Sequence, residues 1–247
     1  MAQSAPLREQ RPCRIVIAID GPAAVGKSTV LAELARQLNA LPFDTGVVYR
    51  ALAWAAQQSG ISLDDESRLT SFAEQLQLEL RREEASNGLA VRVVVNGQDI
   101  SEVVRAPELG EAASRVAAYP GVRAALLALQ RAIAASAERV VIAGRDIGTV
   151  VVPEATLKIW LDASLDERVR RRYHELQQRG KAVTLAEVER DLLQRDQRDA
   201  SRAAAPMQRA TDAIVIQTDG RSVQDIVQQI LLLAKERARC ADAARTV

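Results

Sequence analysis

Apolar positions along the chain fall into two alternating patterns. Ile15 to Ile19 is a continuous aliphatic run ending at Asp20-Gly21, as in a strand covered on both faces of a parallel sheet. Ser28 to Asn39 follows with Val30, Leu34 and Leu38 at helical spacing. Leu41 to Phe43 reads as a short strand and Thr45 to Ser59 as a helix. Val140 to Ala143, Leu157 to Leu161 and Ile214 to Gln217 repeat the buried-strand pattern, and Val223 to Ala234 is a strongly apolar helix. Strands alternating with helices predict an α/β fold with a doubly wound parallel sheet and right-handed crossovers.

One stretch breaks that rhythm. Leu76 to Ser101 carries Leu-Glu-Leu, Ser86-Asn-Gly, Val91 to Val95 and Asn96-Gly97 before Asp99-Ile100. Asn-Gly between alternating segments signals a tight hairpin, so residues 63–103 are expected to form a small antiparallel β insertion. Pro107 to Ala118 and Val122 to Ala135 then read as helices, the second with Val122, Leu126, Leu129 and Ile133 on one face. Ser164-Leu-Asp-Glu167 and Thr184-Leu-Ala-Glu187 match the capping box, each opening a charged helix, with Arg179-Gly180 as the stop between them. Two such polar helices are unsuited to a core, and residues 164–202 are expected to form a mobile helical lid. The expected organisation is a tail at 1–12, one domain at 13–234, and a tail at 235–247 that either extends the last helix or frays.

Composition narrows the chemistry. The chain has 247 residues, long enough for one sizeable core, and only 3% aromatics, so that core must be aliphatic. A formal charge of +1 from 33 basic and 32 acidic residues supplies no bulk field for nucleic acid or membrane. Any anion must be bound locally. Cys13, Cys240 and His174 are an inventory too small for a zinc site or a Ser-His-Asp hydrolase. Met1 to Pro12 lacks the apolar core of a signal peptide, and no apolar run approaches membrane-spanning length. A cytoplasmic protein is expected.

Gly21-Pro-Ala-Ala-Val-Gly-Lys-Ser28 satisfies every fixed position of the phosphate-binding loop G-x-x-x-x-G-K-[ST], between an apolar strand and an amphipathic helix. Backbone N–H groups curled inward by glycines, together with a helix N-terminus, cradle phosphates. The predicted nucleotide-binding set is Gly21, Pro22, Ala23, Ala24, Val25, Gly26, Lys27, Ser28 and Thr29. Lys27 would reach the β- and γ-phosphates and Ser28 would ligate Mg²⁺. Neither the Asn-Lys-x-Asp segment that reads guanine nor the protein-kinase signatures occur in the chain. A small-molecule kinase or an ATP-binding module remains.

Three further segments carry candidate chemistry: Asp44-Thr45-Gly46 with Tyr49-Arg50, Gly144-Arg145-Asp146-Ile-Gly148-Thr149, and Arg195-Asp-Gln-Arg198-Asp199-Ala-Ser-Arg202. The first two follow strands, and ligands of doubly wound sheets gather at the carboxyl ends of strands. Arg195, Arg198 and Arg202 at i, i+3 and i+7 would share one face of a continuing helix. A phosphate monoester, largely dianionic at neutral pH, attacks without a general base. Lys27, Mg²⁺ and arginines would then act by positioning and charge neutralisation.

Together with Ala112-Ala-Ser-Arg-Val116 and Val122-Arg123, these motifs resemble the bacterial cytidylate kinases of the nucleoside monophosphate kinase group, over about Ile15 to Ala234. The resemblance implies transfer of a phosphoryl group from ATP with Mg²⁺ to CMP or dCMP, by a protein expected to be a monomer. It implies that Arg50 and Arg145 grip the acceptor phosphate near Thr45, and that Ser114, Arg123 and Asp146 face cytosine. Arg195, Arg198 and Arg202 would belong to the catalytic lid, with Asp199 near the acceptor sugar. Two departures stand out: Ala24-Val25 replaces the Gly-Ser common in the family, and Ala143 replaces an acid that would organise magnesium-bound water. Val25, being β-branched, is not expected at positive φ. The alternatives are a related kinase for another small acceptor and a regulatory ATP-binding module.

Overall fold

In the computed structural model, which describes residues 14–85 and 88–244, five parallel strands form the central sheet. They are β1 (Ile15–Asp20), β2 (Leu41–Asp44), β6 (Arg139–Ala143), β7 (Leu157–Asp162) and β8 (Ile214–Gln217), in the order β2-β6-β1-β7-β8. The order reverses around β1, so the chain diverges there and leaves a crevice at the strands' carboxyl ends.

Strand parity divides the core. Val16 and Ala18 of β1, with Val140 and Ile142 of β6, face α2 (Gly46–Gln58), α4 (Pro107–Val116) and α5 (Pro120–Ala135). Ile17, Ile19, Val141 and Ala143 face the opposite layer, α1 (Lys27–Leu38) and α8 (Val223–Ala244). The expected burial on both faces holds for β1 and β6 but weakens towards the β8 edge. In β7, Leu157, Ile159 and Leu161 are buried while Lys158, Trp160 and Asp162 are half-buried, and Val215 of β8 is exposed. α8 continues as helix through most of 235–247, to Ala244.

The antiparallel insertion is β3 (Leu78–Ala85), β4 (Gly88–Val95) and β5 (Gln98–Asp99). Asn96 and Gly97 take φ of 48° and 80°, the left-handed pair a two-residue hairpin turn requires. Ser86 and Asn87 of the first expected turn lie outside the described residues, as do residues 1–13. Val93 and Val95 bury against Ala51 and Ala55 of α2, seating the sheet beside the parent core. The beginning of the inserted stretch is helical instead: α3 (Glu66–Glu74) starts where Asp65 accepts from Arg68 N at 3.0 Å. Leu69 and Ala73, four residues apart, bury its inner face against the core.

The charged helices are α6 (Leu165–Gln178) and α7 (Leu185–Ala200). Thr184 and Glu187 form the full reciprocal capping box. At α6 only half of it forms: Ser164 accepts from Glu167 N, but Asp219 receives the Ser164 backbone N–H at 3.0 Å. Glu167 is thereby free to pair with Arg170 and Arg171. Val169, Val188 and Leu192 form a small apolar seam with Ala23 of the phosphate loop. α6 and α7 therefore sit on that loop.

Candidate active site

The phosphate loop leaves β1 through Gly21, whose φ is 148°; a Cβ there would stand 2.1 Å from Leu161 O. Its left-handed residues are Gly26 (φ 93°) and, unusually, Ala24 (φ 61°), while Val25 stays out of that region. Alanine at such a φ costs on the order of 1 kcal/mol relative to glycine. Lys27 Nζ donates to the carbonyls of Gly21 at 2.8 Å and Pro22 at 2.5 Å. Burial first, then the charge of Arg145, pulls its ammonium well below the ordinary lysine range, against the opposing pull of Asp44. A bound phosphate would offset that penalty.

Ser28, in the first turn of α1, donates Oγ–H to Asp44 Oδ2 at 3.2 Å. Asp44 Oδ1 accepts from Gly46 N at 2.9 Å, which pins the carboxylate at the start of α2. Asp44 is paired in register with Ala143 on the neighbouring strand. Asp44 thus places a carboxylate one strand away from Ala143. An exposed hydroxyl beside a held carboxylate is a hard-oxygen donor set that fits Mg²⁺ sharing phosphate oxygens. Thr45 ties β2 to β6 instead, through its N and Oγ1 to Ala143 O at 2.9 and 3.1 Å.

Asp20 ends β1 pointing sideways. Its carboxylate oxygens accept from Ile147 N and Gly148 N, both at 2.8 Å. The segment it holds, Ile147–Val151, is a single wide turn in which Val151 N and Val152 N donate five residues back. Burial outweighs these two bonds and raises the Asp20 carboxyl to about 6.

The loop held in this way presents Arg145 and Asp146. Arg145 Nε donates to Asp199 Oδ2 at 2.9 Å, and Asp199 also pairs with Arg202. Burial raises the Asp199 carboxyl, but Arg145, Arg202 and Arg195 together hold it below its ordinary value. Asp146 pairs with Arg123 of α5 in an almost fully buried bridge, and the Arg123 guanidinium lies 5.4 Å from the Tyr49 ring centroid. Ser114 of α4 and Arg50 of α2 complete the wall.

Phosphate loop, Asp44, Arg145 and the lid enclose one cavity of about 540 Å³. Of the residues named from the sequence, Ala23, Ala24, Gly26, Lys27, Ser28, Thr29, Thr45, Arg50, Ser114, Arg123, Arg145, Asp146, Arg195, Asp199 and Arg202 line it. Gly21, Pro22 and Val25 support it from behind. Arg198 does not line it. The expected shared face for Arg195, Arg198 and Arg202 fails because α7 stops at Ala200; Arg202 lies beyond the helix and returns through its bridge to Asp199. Arg198 is turned towards α4, where its Nη1 meets Glu111 Oε1 at 2.8 Å and Ser114 Oγ at 3.1 Å.

Several members went unread in the sequence. No sequence motif assigns a role to Asp44 or Tyr49, or to Arg171, Arg172 and Glu175 of α6. Arg171 Nη1 reaches Val25 O at 3.3 Å and Thr218 Oγ1 at 2.9 Å. Asp196 Oδ1 accepts from Ala23 N at 2.9 Å and its other oxygen pairs with Arg168. For the arginines of α6 the only signal is the density of arginine over 168–172.

The electrostatics are unbalanced. Lys27, Arg50, Arg123, Arg145, Arg171, Arg172, Arg195 and Arg202 face Asp44, Asp146, Glu175 and Asp199, so eight cations against four carboxylates leave a formal surplus of four positive charges. Arg195 is the extreme case. Burial and the neighbouring Arg145 lower its guanidinium to about 10, and its Nε has no hydrogen-bond partner among the described residues. A polyanion would offset the charge of such a cluster.

The cytidylate kinase family model matches residues 17–236. A cytidylate kinase from Desulfitobacterium hafniense (strain Y51) is 45% identical over 221 residues, covering 90% of this chain and 93% of that protein. One from Geobacillus sp. (strain WCH70) is 43% identical over 90% of this chain and 97% of that protein. A bifunctional pantoate ligase/cytidylate kinase from Synechococcus sp. (strain JA-2-3B'a(2-13)) is 44% identical over 95% of this chain, which spans 43% of that protein's length.

Proposed function

The chain belongs to the cytidylate kinase family, and from that premise we propose that it transfers the terminal phosphoryl group of ATP directly to CMP and dCMP. The observation that carries this reading is the excess of cationic over anionic side chains lining the cavity around Lys27, with Arg195 buried there and its Nε unpaired among the described residues. A magnesium-bound triphosphate together with a monophosphate dianion carries about four negative charges, opposite in sign to the surplus among the lining residues.

Residues 13–234 act as one kinase domain in this reading, with the acceptor-side insertion at 63–103 and the lid at 164–202. The phosphate loop from Gly21 to Thr29 holds ATP, and Lys27 neutralises charge on the transferring group. Ser28 with Asp44 would hold Mg²⁺, which would supply charge withdrawal from the phosphates. Arg50 and Arg145 orient the acceptor phosphate for in-line attack, beside Thr45. Arg195 and Arg202 close over the phosphoryl group and exclude water. Asp199, gripped by Arg145 and Arg202, faces the sugar.

Cytosine lies against Tyr49, with Asp146 accepting from its exocyclic amine and Arg123 and Ser114 donating to acceptor atoms of the ring edge. Uracil would set a carbonyl against Asp146. All the residues given roles in this reading belong to one chain, and the enzyme is taken to act as a monomer. Among the described residues no helix is long and apolar enough to span a membrane, in keeping with a cytoplasmic enzyme.

The deciding experiment offers ATP and Mg²⁺ with each nucleoside monophosphate in turn. CMP and dCMP should be consumed far faster than UMP, with AMP and GMP poor acceptors. Equal use of AMP or GMP would mean that the base is read differently.

A further inference from the structure

Ser114 is almost fully buried, on the face of α4 that borders the acceptor cavity. Its Oγ receives a hydrogen bond from Arg198 Nη1 at 3.1 Å, and the same nitrogen spends its second proton on Glu111 Oε1 at 2.8 Å. Glu111 and Ser114 are three residues apart on α4, whereas Arg198 arrives from the lid helix α7. A serine hydroxyl has one proton and two lone pairs and otherwise rotates to suit whatever faces it. Here one lone pair is committed to a cation. Among the described residues, no acceptor takes the Ser114 proton.

We propose that Arg198 is a specificity-determining positioning residue: by donating to Ser114 Oγ it makes that hydroxyl a hydrogen-bond donor towards the acceptor base, and so favours cytosine over uracil. The inference rests on the reading of Ser114 as a base contact. The edge of cytosine beside its amine is a bare ring nitrogen, an acceptor, whereas uracil carries N–H at that position. A hydroxyl able to rotate would serve both bases, accepting from one and donating to the other. A hydroxyl that already accepts from a guanidinium is a stronger donor and a poorer acceptor. It matches cytosine and leaves the uracil N–H badly paired.

This geometry also explains why Arg198 stays out of the phosphate cluster although its neighbours Arg195 and Arg202 join it. Its charge is spent on α4, where Glu111 fixes its direction. Because Arg198 rides on the lid and Ser114 does not, the polarity of the hydroxyl is set only when the lid lies against α4. Selection of the base is thereby tied to closure.

The test is the ratio of kcat/KM for CMP to that for UMP in wild type, Arg198→Met, Arg198→Lys, Ser114→Ala and the Arg198→Met/Ser114→Ala double variant. Thermal melting of each variant accompanies the kinetics. Arg198→Met should narrow the ratio about threefold to tenfold, the worth of one neutral hydrogen bond. CMP should lose more than UMP, and the KM for ATP should stay close to wild type. Arg198→Lys, which keeps a cationic donor, should recover part of the ratio. The double variant should match Ser114→Ala, because Arg198 acts on the base only through that hydroxyl.

If Arg198→Met slowed CMP and UMP equally while Ser114→Ala narrowed the ratio, the inference would fall and the base-contact reading would stand. Multiplicative losses in the double variant would also overturn it. If Ser114→Ala itself left the ratio unchanged, the reading of Ser114 would fall and the inference with it.

Discussion

Arg145 Nε and Asp199 Oδ2 meet at 2.9 Å across 54 positions of sequence, joining the loop after β6 to the last turn of α7. This bridge brings the loop after β6 and α7 into one unit, with Arg202 on the other carboxylate oxygen. Any ligand that recruits Arg145 therefore acts on the lid as well.

Arg145→Ala should raise the KM for CMP by about tenfold to a hundredfold, the range for a lost hydrogen bond to a charged group. It should also lower kcat, because a misdirected acceptor phosphate attacks off line. ATP affinity measured without acceptor should change little. Loss of ATP binding with CMP binding retained would reverse the two sites.

Asp44→Asn should raise the Mg²⁺ concentration needed for half-maximal rate by about tenfold to a hundredfold. The amide keeps a hydrogen bond to Gly46 N but loses the charge beside Ser28. A magnesium titration of both forms decides. An unchanged requirement would remove Asp44 from the metal site.

The contrast between Asp44 and Ala143 shows what was legible from sequence and what was not. The strands, the phosphate loop and the order of elements follow from local patterns: a continuous aliphatic run, a fixed glycine spacing, a helical period. The acid next to Ser28 does not, because strand register alone sets Asp44 opposite Ala143. The place of Arg198 was misjudged for a related reason. Helical spacing puts it in line with Arg195 and Arg202, but Glu111 and Ser114 of α4 draw its guanidinium away from the cavity. α3 was absorbed into the insertion because its short pattern, Leu69 with Phe72 and Ala73, was overshadowed by the turn signals after it. Arg168, Arg171 and Asp196 were hidden by composition, since a chain this rich in arginine makes buried and solvated guanidinium groups look alike.

Asp196→Ala should loosen the lid. Its carboxylate accepts from Ala23 N of the phosphate loop and pairs with Arg168, both side chains being mostly buried. Removing one partner of such a bridge leaves the other charge unpaired, at a cost of about 3–5 kcal/mol. The KM for ATP should rise about tenfold or more, as the worth of the bonds lost implies. Trypsin should cut faster in the exposed turn at Arg179 and Lys181. Unaltered proteolysis and ATP affinity would show that the lid does not depend on this contact.

Asp20 gives stability a pH dependence with a definite sign. Its folded carboxyl, raised by burial, holds its proton up to about 6, against 3.8 for the unconstrained group. Its contribution to stability is thus fully present below pH 3.8 and is lost as pH rises through 6. Between pH 4.5 and 7.5 wild type should lose about 2 kcal/mol relative to Asp20→Asn, which carries no titrating group there. Urea unfolding of both proteins across that range measures the difference. A gap that stays constant with pH would show an Asp20 carboxyl that titrates alike in both states.

Where the terminal phosphoryl group of ATP goes is the central test of the proposed transfer. The direct measurement incubates γ-labelled ATP, Mg²⁺ and CMP with wild type and with Lys27→Ala, comparing label in CDP with label in inorganic phosphate. Circular dichroism is recorded for both proteins. Wild type should place nearly all of the label in CDP, one for each ADP formed. Lys27→Ala should fold normally and transfer at least about a hundredfold more slowly, because its ammonium is needed most where charge reorganises during transfer. Label released as phosphate while CMP remains unconsumed, or a folded Lys27→Ala that transfers like wild type, would contradict it.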